Sequence, residues 1–278
     1  MGYEAPIRMG FFFGMLALMA MWESLAPRRR LTTSKPTRWI ANLGIVFVDT
    51  ATVRLIVPIT AVSMALLAQE RGWGLLNNLD LPDWLALVAG VLALDFVIFL
   101  QHVMFHAVPA FWRLHMMHHS DMDFDVTTGV RFHPIEIVLS MGIKLAAIVV
   151  LGPSTLAVLV FEVALNATSL FNHGNVRLPT GLDRVLRLFV VTPEMHRVHH
   201  SNIARETNSN FGFNFPWWDR LFGTYRAQPD KGHEGMTIGL DQFRDPGKLN
   251  LFGLLVQPFV GKVGDYPINR RGGKEEDK

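Results

Sequence analysis

The chain has 278 residues, of which half are hydrophobic and 18% are charged. A soluble domain usually carries about 25% charged residues, and here the apolar residues come in long blocks. This composition predicts an integral membrane protein. The formal net charge of only +2 does not favour a nucleic-acid partner. Cysteine is absent, so any metal must be held by histidine, carboxylate or carbonyl groups.

Several apolar stretches approach the length of about 20 residues that a helix needs to cross a bilayer. They cover residues 9–26, 40–68, 84–100, 135–151 and 155–171. No small-residue cleavage site follows the first stretch, so we interpret it as a retained anchor rather than a signal peptide. Gly152 and Pro153 separate the last two stretches, which predicts a helical hairpin. The sequence therefore predicts an all-α, multi-pass membrane protein with about four to five membrane helices.

The distribution of basic residues predicts the orientation of these helices. Arg28, Arg29, Arg30, Lys35 and Arg38 lie between the first two apolar stretches, whereas the loop over residues 69–83 has one arginine against three acidic residues. By the positive-inside rule, the first loop is cytoplasmic. Both long polar stretches, 101–134 and 172–278, are then expected on the cytoplasmic face, and together they contain every histidine.

The histidines follow a repeated spacing. An H-x-x-x-H pair ends the third apolar stretch, an H-x-x-H-H triplet follows it, and a second H-x-x-H-H triplet comes later in the chain. These three boxes are His102 and His106; His115, His118 and His119; and His196, His199 and His200. His133 and His173 stand singly between the boxes, and His233 is interpreted as an ordinary loop residue.

This spacing predicts a metal centre. Residues three and four apart share one face of a helix, so each box is expected to present its imidazoles in one direction. Imidazole binds iron, zinc and copper, and a protein site with one metal commonly uses about four ligands. The number of histidines therefore predicts two metals. His133 and His173 are also predicted as ligands, and a hydrogen-bonding role behind the ligands is left open for both.

Polar residues beside the boxes are candidates for supporting roles. Four carboxylates flank the boxes and are candidates for orienting imidazole N–H groups: Asp121, Asp123, Asp125 and Glu194. Their alternative is a solvated loop or a helix cap. Three asparagines are candidates for holding a metal-bound water: Asn172, Asn175 and Asn210.

Longer motifs around the boxes resemble the fatty acid hydroxylase/sterol desaturase superfamily of membrane oxygenases. The matching segments are GVRFHPIE (129–136), NHGNVRLP (172–179), TPEMHRVHHS (192–201) and SNFGFNFPWWDRLFGTY (209–225). The interval between the first two boxes is similar to that in alkylglycerol monooxygenase-like and bacterial sterol desaturase-like members. The chain departs from fatty acid 2-hydroxylases, which typically carry a further H-x-x-x-H just before the last box.

The resemblance implies that the box histidines ligate two iron ions, cycling between Fe2+ and Fe3+, with O2 as co-substrate. The implied activity is hydroxylation (a monooxygenase reaction) or desaturation of a hydrophobic membrane lipid or sterol-like substrate. No fused cytochrome-like domain is recognised, so the electrons are expected to come from a separate donor, such as a cytochrome, a ferredoxin or a reductase.

The whole chain, 1–278, is expected to form a single membrane-embedded catalytic unit. Residues 1–100 would supply the N-terminal spans, residues 101–225 the histidine-box region with its hairpin at 135–171, and residues 226–278 a C-terminal tail. A cytoplasmic helical cap is expected to hold the histidine-rich dimetal site.

Two other functions remain open at this point. A membrane zinc hydrolase is one, because H-x-x-H-H also suits zinc, although a catalytic zinc site uses only three protein ligands. A metal-binding transporter is the other, although transporters hold their substrate near the bilayer midplane, whereas these boxes lie beyond the ends of the spans.

Overall fold

The computed structural model describes residues 4–260 and 262–270. All regular elements in this part of the chain are helices, which confirms the predicted fold class. The long ones are α1 (Glu4–Leu25), α2 (Lys35–Ile56), α3 (Ala61–Glu70), α4 (Asp83–Ala107), α5 (Pro109–His119), α6 (Pro134–Leu151) and α7 (Thr155–Asn172). The shorter ones are α8 (Thr180–Leu186), α9 (Pro193–His199), α10 (Ala204–Thr207), α11 (Trp217–Leu221), α12 (Gly232–Gly235) and α13 (Leu251–Val256). Single 3-10 turns lie between some of them, including one at Val126–Val130.

Five segments of the described chain are long and apolar enough to cross a membrane, as the sequence predicted. They are α1, the unit Lys35–Glu70 that joins α2 and α3, α4, α6 and α7. Pro58 lies in the break between α2 and α3, where it has no N–H to continue the helical ladder. In lipid every backbone polar group must be satisfied internally, and an α-helix achieves this through its own hydrogen bonds.

Local sequence signals set the helix ends that position the histidines. Ser154 begins α7 by accepting a hydrogen bond from the amide of Ala157, and Thr192 begins α9 by accepting one from Met195. Gly152 ends α6 in a left-handed conformation with φ of 64°, which is a common helix stop. Gly152, Pro153 and Ser154 thus form the tight turn of the predicted α6–α7 hairpin.

The hairpin forms the centre of the span bundle. Helix α7 contacts α1, α3 and α4, and α6 contacts α2, α3 and α4. Glu162 of α7 is buried and lies between Lys144 of α6 (2.9 Å) and Arg8 of α1 (3.1 Å). This ion network links three spans, because an acidic side chain within the membrane needs a partner.

Loop contacts show which ends of the spans lie together. At one end, the amide of Leu75, in the loop after α3, donates to Val150 at the hairpin tip (3.0 Å). At the other end, the basic α1–α2 loop contacts the segments that carry the later histidines: the amide of Arg28 donates to Asn175 (2.8 Å) and the amide of Thr32 to Asp123 (2.9 Å). The basic loop and the histidine boxes therefore share one end of the bundle.

The hairpin turn allows a stability test. A Cβ at Gly152 would lie 2.7 Å from the carbonyl oxygen of Trp73, and a left-handed conformation costs a non-glycine residue roughly 1–2 kcal/mol. We expect Gly152→Ala to lower the melting temperature of the detergent-purified protein. Gly142→Ala is the control, because a Cβ there meets no atom within 4 Å, and its melting temperature should stay the same or rise slightly. Equal melting temperatures for the two variants would contradict the turn geometry.

Candidate metal centre

Nine of the ten predicted histidines converge at one end of the span bundle. Helix α4 supplies the first box from its last turns, α5 supplies the second, His173 follows directly after α7, and α9 with the residue after it supplies the third. Every one of the nine is at most 3% exposed. So many buried imidazoles need hydrogen-bond or metal partners, because burying a polar group without such a partner costs free energy.

The nine imidazoles form two groups. In each group the candidate ligand atoms lie within 4.8 Å of one another, and neither group contains a carboxylate. The rings of His119 and His200, one from each group, are stacked with centroids 4.6 Å apart, so the two groups adjoin. The first group is His102, His106, His115, His119 and His199, and the second is His118, His173, His196 and His200.

The structure divides each H-x-x-H-H box between the two groups, whereas the sequence analysis expected each box to face one way. In the second box, His115 and His119 join the first group and His118 the second. In the third box, His199 joins the first group and His196 and His200 the second. Successive residues of a helix are about 100° apart around its axis, so adjacent histidines point to different groups. Each triplet therefore links both groups.

Six of the nine rings direct Nδ1 at an oxygen atom. Four of these oxygens are backbone carbonyls, which only accept hydrogen bonds, so Nδ1 of these four histidines carries the proton. The carbonyl contacts are His102 to Phe211 (2.7 Å), His118 to Arg131 (3.2 Å), His173 to Ser169 (2.8 Å) and His199 to Ser209 (2.7 Å). The other two are His115 to a Glu136 oxygen (2.6 Å) and His106 to the Asn208 side-chain oxygen (3.1 Å).

This arrangement leaves lone pairs on Nε2 facing one another. Nε2 of His102 lies 3.0 Å from Nε2 of His199, and Nε2 of His118 lies 3.2 Å from Nε2 of His173. Both rings of each pair carry their proton on Nδ1, so no hydrogen bond joins the two nitrogens. Such a spacing of about 3 Å is the one expected between neighbouring ligands of a single cation with metal–nitrogen bonds of about 2.1 Å.

Several other ring nitrogens at the site have no hydrogen-bond partner among the described residues. They are buried and comprise Nε2 of His106 and His115, both nitrogens of His119 and His200, and Nδ1 of His196. Burial lowers the pKa of His115 and of His173 to about 3 and holds the pKa of His118, His119 and His200 well below the ordinary value. These imidazoles are neutral at pH 7, the form that binds a metal. The residues thus fit two metal ions.

His133 lies outside both groups. It begins α6, where its Nδ1 accepts a hydrogen bond from the amide of Ile135 (3.2 Å) and its Nε2 lies 3.2 Å from the carbonyl of Leu255. Both nitrogens therefore have backbone partners. His233 is also buried, with Nε2 2.8 Å from Glu194. It therefore differs from the solvent-exposed loop residue that the sequence suggested, because a carboxylate holds it in a buried position.

The flanking carboxylates named from the sequence bind groups other than the clustered imidazoles. Asp121 pairs with both sides of the Arg38 guanidinium (2.8 Å each), Asp123 accepts from Thr32 and Thr33, and Asp125 caps the 3-10 turn that follows it. Glu194 pairs with Arg28 and Arg197, and with His233 outside the groups. These carboxylates anchor the surrounding loops.

Sequence reasoning missed the carboxylate that does reach a clustered imidazole. Glu136 is 4% exposed and lies in the first turn of α6, with one oxygen on His115 and the other without a partner. A carboxylate that orients a ligand histidine commonly raises its basicity and fixes its tautomer. The available signal was a glutamate in the first turn of a candidate membrane span, where an acidic residue is rare.

Sequence reasoning also missed the segment 208–211, which supplies oxygen acceptors to three histidines of the first group: His106, His199 and His102. Asn210 holds this segment in place. Its φ is 53°, its side-chain NH2 donates to the carbonyls of Met195 (2.9 Å) and Arg226 (2.8 Å), and its oxygen accepts from the Arg226 amide. Of the three asparagines named from the sequence, only Asn172 keeps a buried side-chain oxygen without a partner.

Comparison with known proteins identifies the region that carries this site. Residues 87–224 match the family model described as fatty acid hydroxylase, and this range contains all nine clustered histidines. The chain belongs to the fatty acid hydroxylase/sterol desaturase superfamily. This confirms the resemblance inferred from the sequence motifs.

Curated relatives of this superfamily member act on lipids, by their names. This chain is 30% identical to ornithine lipid hydroxylase OlsE of Rhizobium tropici, over 70% of this chain and 54% of that protein. It is 28% identical to alkylglycerol monooxygenase of Homo sapiens over 55% of this chain and 33% of that protein. A very-long-chain aldehyde decarbonylase of Oryza sativa subsp. indica is 29% identical over 58% of this chain and 28% of that protein. The matched part of this chain thus spans about half or less of these relatives. No solved structure matches the chain.

The Glu136–His115 hydrogen bond predicts a metal-affinity effect. We expect Glu136→Gln to weaken metal binding by roughly 10–100-fold, because removal of a hydrogen-bond partner behind a metal ligand typically has that effect. The measurement is the iron content of purified protein after titration with a chelator. Asp123→Asn is the matched control, since Asp123 accepts from Thr32 and Thr33 and has no hydrogen bond to a clustered imidazole in the described part of the chain. Equal chelator resistance of the two variants would refute the role of Glu136.

The conformation of Asn210 predicts a second effect, confined to the first group. Asn210→Ala removes the side-chain tethers and strains the left-handed backbone by roughly 1–2 kcal/mol, whereas Asn210→Gly removes only the tethers. We expect both variants to lose metal from the first group, the alanine variant more, while the second group keeps its metal. Metal per chain should fall from two towards one. An unchanged ratio in the alanine variant would show that segment 208–211 does not support the ligands.

Proposed function

We propose that this protein is an O2-dependent lipid oxygenase that hydroxylates a C–H bond of a membrane lipid at a histidine-held pair of iron ions. The supporting observation is the pair of adjoining buried imidazole groups, whose unprotonated Nε2 atoms face one another at the end of the membrane spans. The names of the relatives, a lipid hydroxylase and an alkylglycerol monooxygenase among them, support the choice of hydroxylation.

The two groups would hold one iron ion each, the first by five histidines and the second by four. Iron bound there would supply the redox change needed to activate O2, which zinc cannot supply. Overall, the lipid C–H bond and O2 become an alcohol and water, and two electrons and two protons are consumed. A separate donor protein would provide the electrons.

The chain's own residues would fix and shield this centre. Oxygen atoms behind the rings orient six imidazoles, and the backbone carbonyls among them fix the tautomer of four, so the ligands would need little rearrangement. Aromatic rings form an apolar wall: Phe213 lies 4.9 Å and Phe211 5.5 Å from the His102 ring, between centroids. This wall and the burial of the histidines exclude water, which favours controlled chemistry on an apolar chain.

The position of the centre suits a substrate that arrives from the bilayer. Helix α4 is a candidate membrane span whose last turns carry His102 and His106. A lipid tail lying along this helix would thus reach the ligands without leaving the apolar phase. The basic α1–α2 loop lies at the same end of the bundle, so the positive-inside rule supports a site on the cytoplasmic face.

A pair of histidine variants tests the function. We expect His118→Ala to abolish the lipid product, measured by mass spectrometry as one lipid class that gains a single oxygen atom when the gene is expressed. The variant should still reach the membrane, but with less iron per chain. His133→Ala is the matched control, because it removes a helix cap at a cost of about 1 kcal/mol and no clustered imidazole. It should keep both the iron and the product.

Three results would contradict this proposal. Wild-type protein purified anaerobically with a single zinc and no iron would favour the zinc hydrolase. Metal uptake into vesicles without O2 consumption would favour the transporter. A product that gains no oxygen atom and loses two hydrogens instead would keep the iron centre but replace hydroxylation with desaturation.

A further inference from the structure

The basic loop between α1 and α2 borders a cleft that reaches towards the second histidine group. We call it the basic cleft and define it by Arg29, Arg30, Leu31, Lys35, Phe124 and Asn175, which line two adjoining cavities. The loop is firmly held. Arg28 pairs with Glu194 (2.7 Å) in the first turn of α9.

The accessible charges of the basic cleft are positive. The guanidinium of Arg29 donates to two neutral carbonyls, those of His233 (2.8 Å) and Met236 (2.9 Å). Arg30 is exposed, and Lys35 is half-buried with its ammonium 4.9 Å from the centre of the Trp39 ring. The acidic residues that also line the cavities, Glu23, Asp123 and Asp125, are each at most 6% exposed. These carboxylates are engaged by backbone amides and by threonine or arginine side chains.

A single aromatic ring separates the floor of the cleft from the second histidine group. Phe124 is 3% exposed. Its ring centroid lies 5.5 Å from that of His173, in a stacked arrangement, and 5.0 Å from that of His200. The Arg197 guanidinium lies over the same ring at 5.3 Å. The cleft therefore brings the protein surface within one side chain of two metal-ligand candidates.

We propose that the basic cleft is the docking site of an acidic electron-donor protein, and that electrons enter through Phe124 to the second histidine group. This inference rests on the proposed function, which consumes two electrons per turnover from a donor outside the chain. Complementary charge speeds and orients the encounter of two proteins, and the positive cleft lies directly over the buried centre. The same loop charges also favour its placement on the cytoplasmic side, where a soluble donor would be found.

Donor binding can be measured without turnover. The protein is placed in nanodiscs of pure phosphatidylcholine, and an acidic [2Fe–2S] ferredoxin serves as the probe. For Arg30→Gln/Lys35→Gln we expect Kd to rise about tenfold at low salt, with a weaker salt dependence. Arg54→Gln/Arg71→Gln is the matched control, because it removes two exposed positive charges that do not line the basic cleft. Its Kd should equal that of the wild type.

Electron entry is measured separately, by the anaerobic rate at which the bound ferredoxin reduces the iron centre. Phe124→Leu should slow this rate severalfold without changing Kd. Phe132→Leu is its control: Phe132 also stacks on a clustered histidine, His118, with centroids 4.6 Å apart, but it does not line the basic cleft. It should keep the wild-type rate.

The inference would be overturned by no ferredoxin binding to the wild type, by equal Kd for the two double variants, or by equal reduction rates for the two phenylalanine variants. Loss of co-purified anionic phospholipid from Arg30→Gln/Lys35→Gln at unchanged ferredoxin affinity would instead identify a lipid headgroup site and would also overturn it. Failure of the proposed function is recognised separately, since the wild type would then contain no iron or form no oxygenated lipid.

Discussion

The site depends on one constraint: the imidazole rings must be held in the tautomer that leaves Nε2, the nitrogen facing the other histidines, without a proton. Four histidines meet it by donating from Nδ1 to backbone carbonyls, and His115 and His106 face side-chain oxygens. The Nε2 atoms then repel one another unless a cation lies between them, because their lone pairs face at about 3 Å. The surrounding helices and loops hold this otherwise unfavourable arrangement together.

Buried ion pairs help to stabilise this arrangement of histidines. Arg38, in the first turn of a candidate membrane span, is 5% exposed and pairs with Asp121 and Asp125, which follow the second histidine box. Breaking a buried pair by removing one partner typically costs about 3–5 kcal/mol, so this contact ties the span firmly to the box. Asp219 acts through hydrogen bonds instead, since it accepts from the amides of Phe211 and Gly212 next to the clustered histidines.

The basic loop links topology to the proposed chemistry. Its charges favour the cytoplasmic side of the membrane, and its contacts with Asn175 and Glu194 place it against the segments that carry His173 and His196. A lipid substrate would arrive from the bilayer along α4, whereas an electron donor would arrive from the aqueous side at the basic cleft. The proposed metal centre would lie between these two phases.

The sequence by itself determined the membrane helices, the α6–α7 hairpin and the histidine boxes, because hydrophobic length and helical spacing are local properties. It also located His173, which the structure brings into the second group. Only the tertiary structure decided which histidine belongs to which group, that His133 caps α6, and that Glu136 and segment 208–211 contact the clustered histidines. These relations depend on where α4, α5, α7 and α9 meet, and no spacing within a single segment encodes contacts between helices that are distant in the chain.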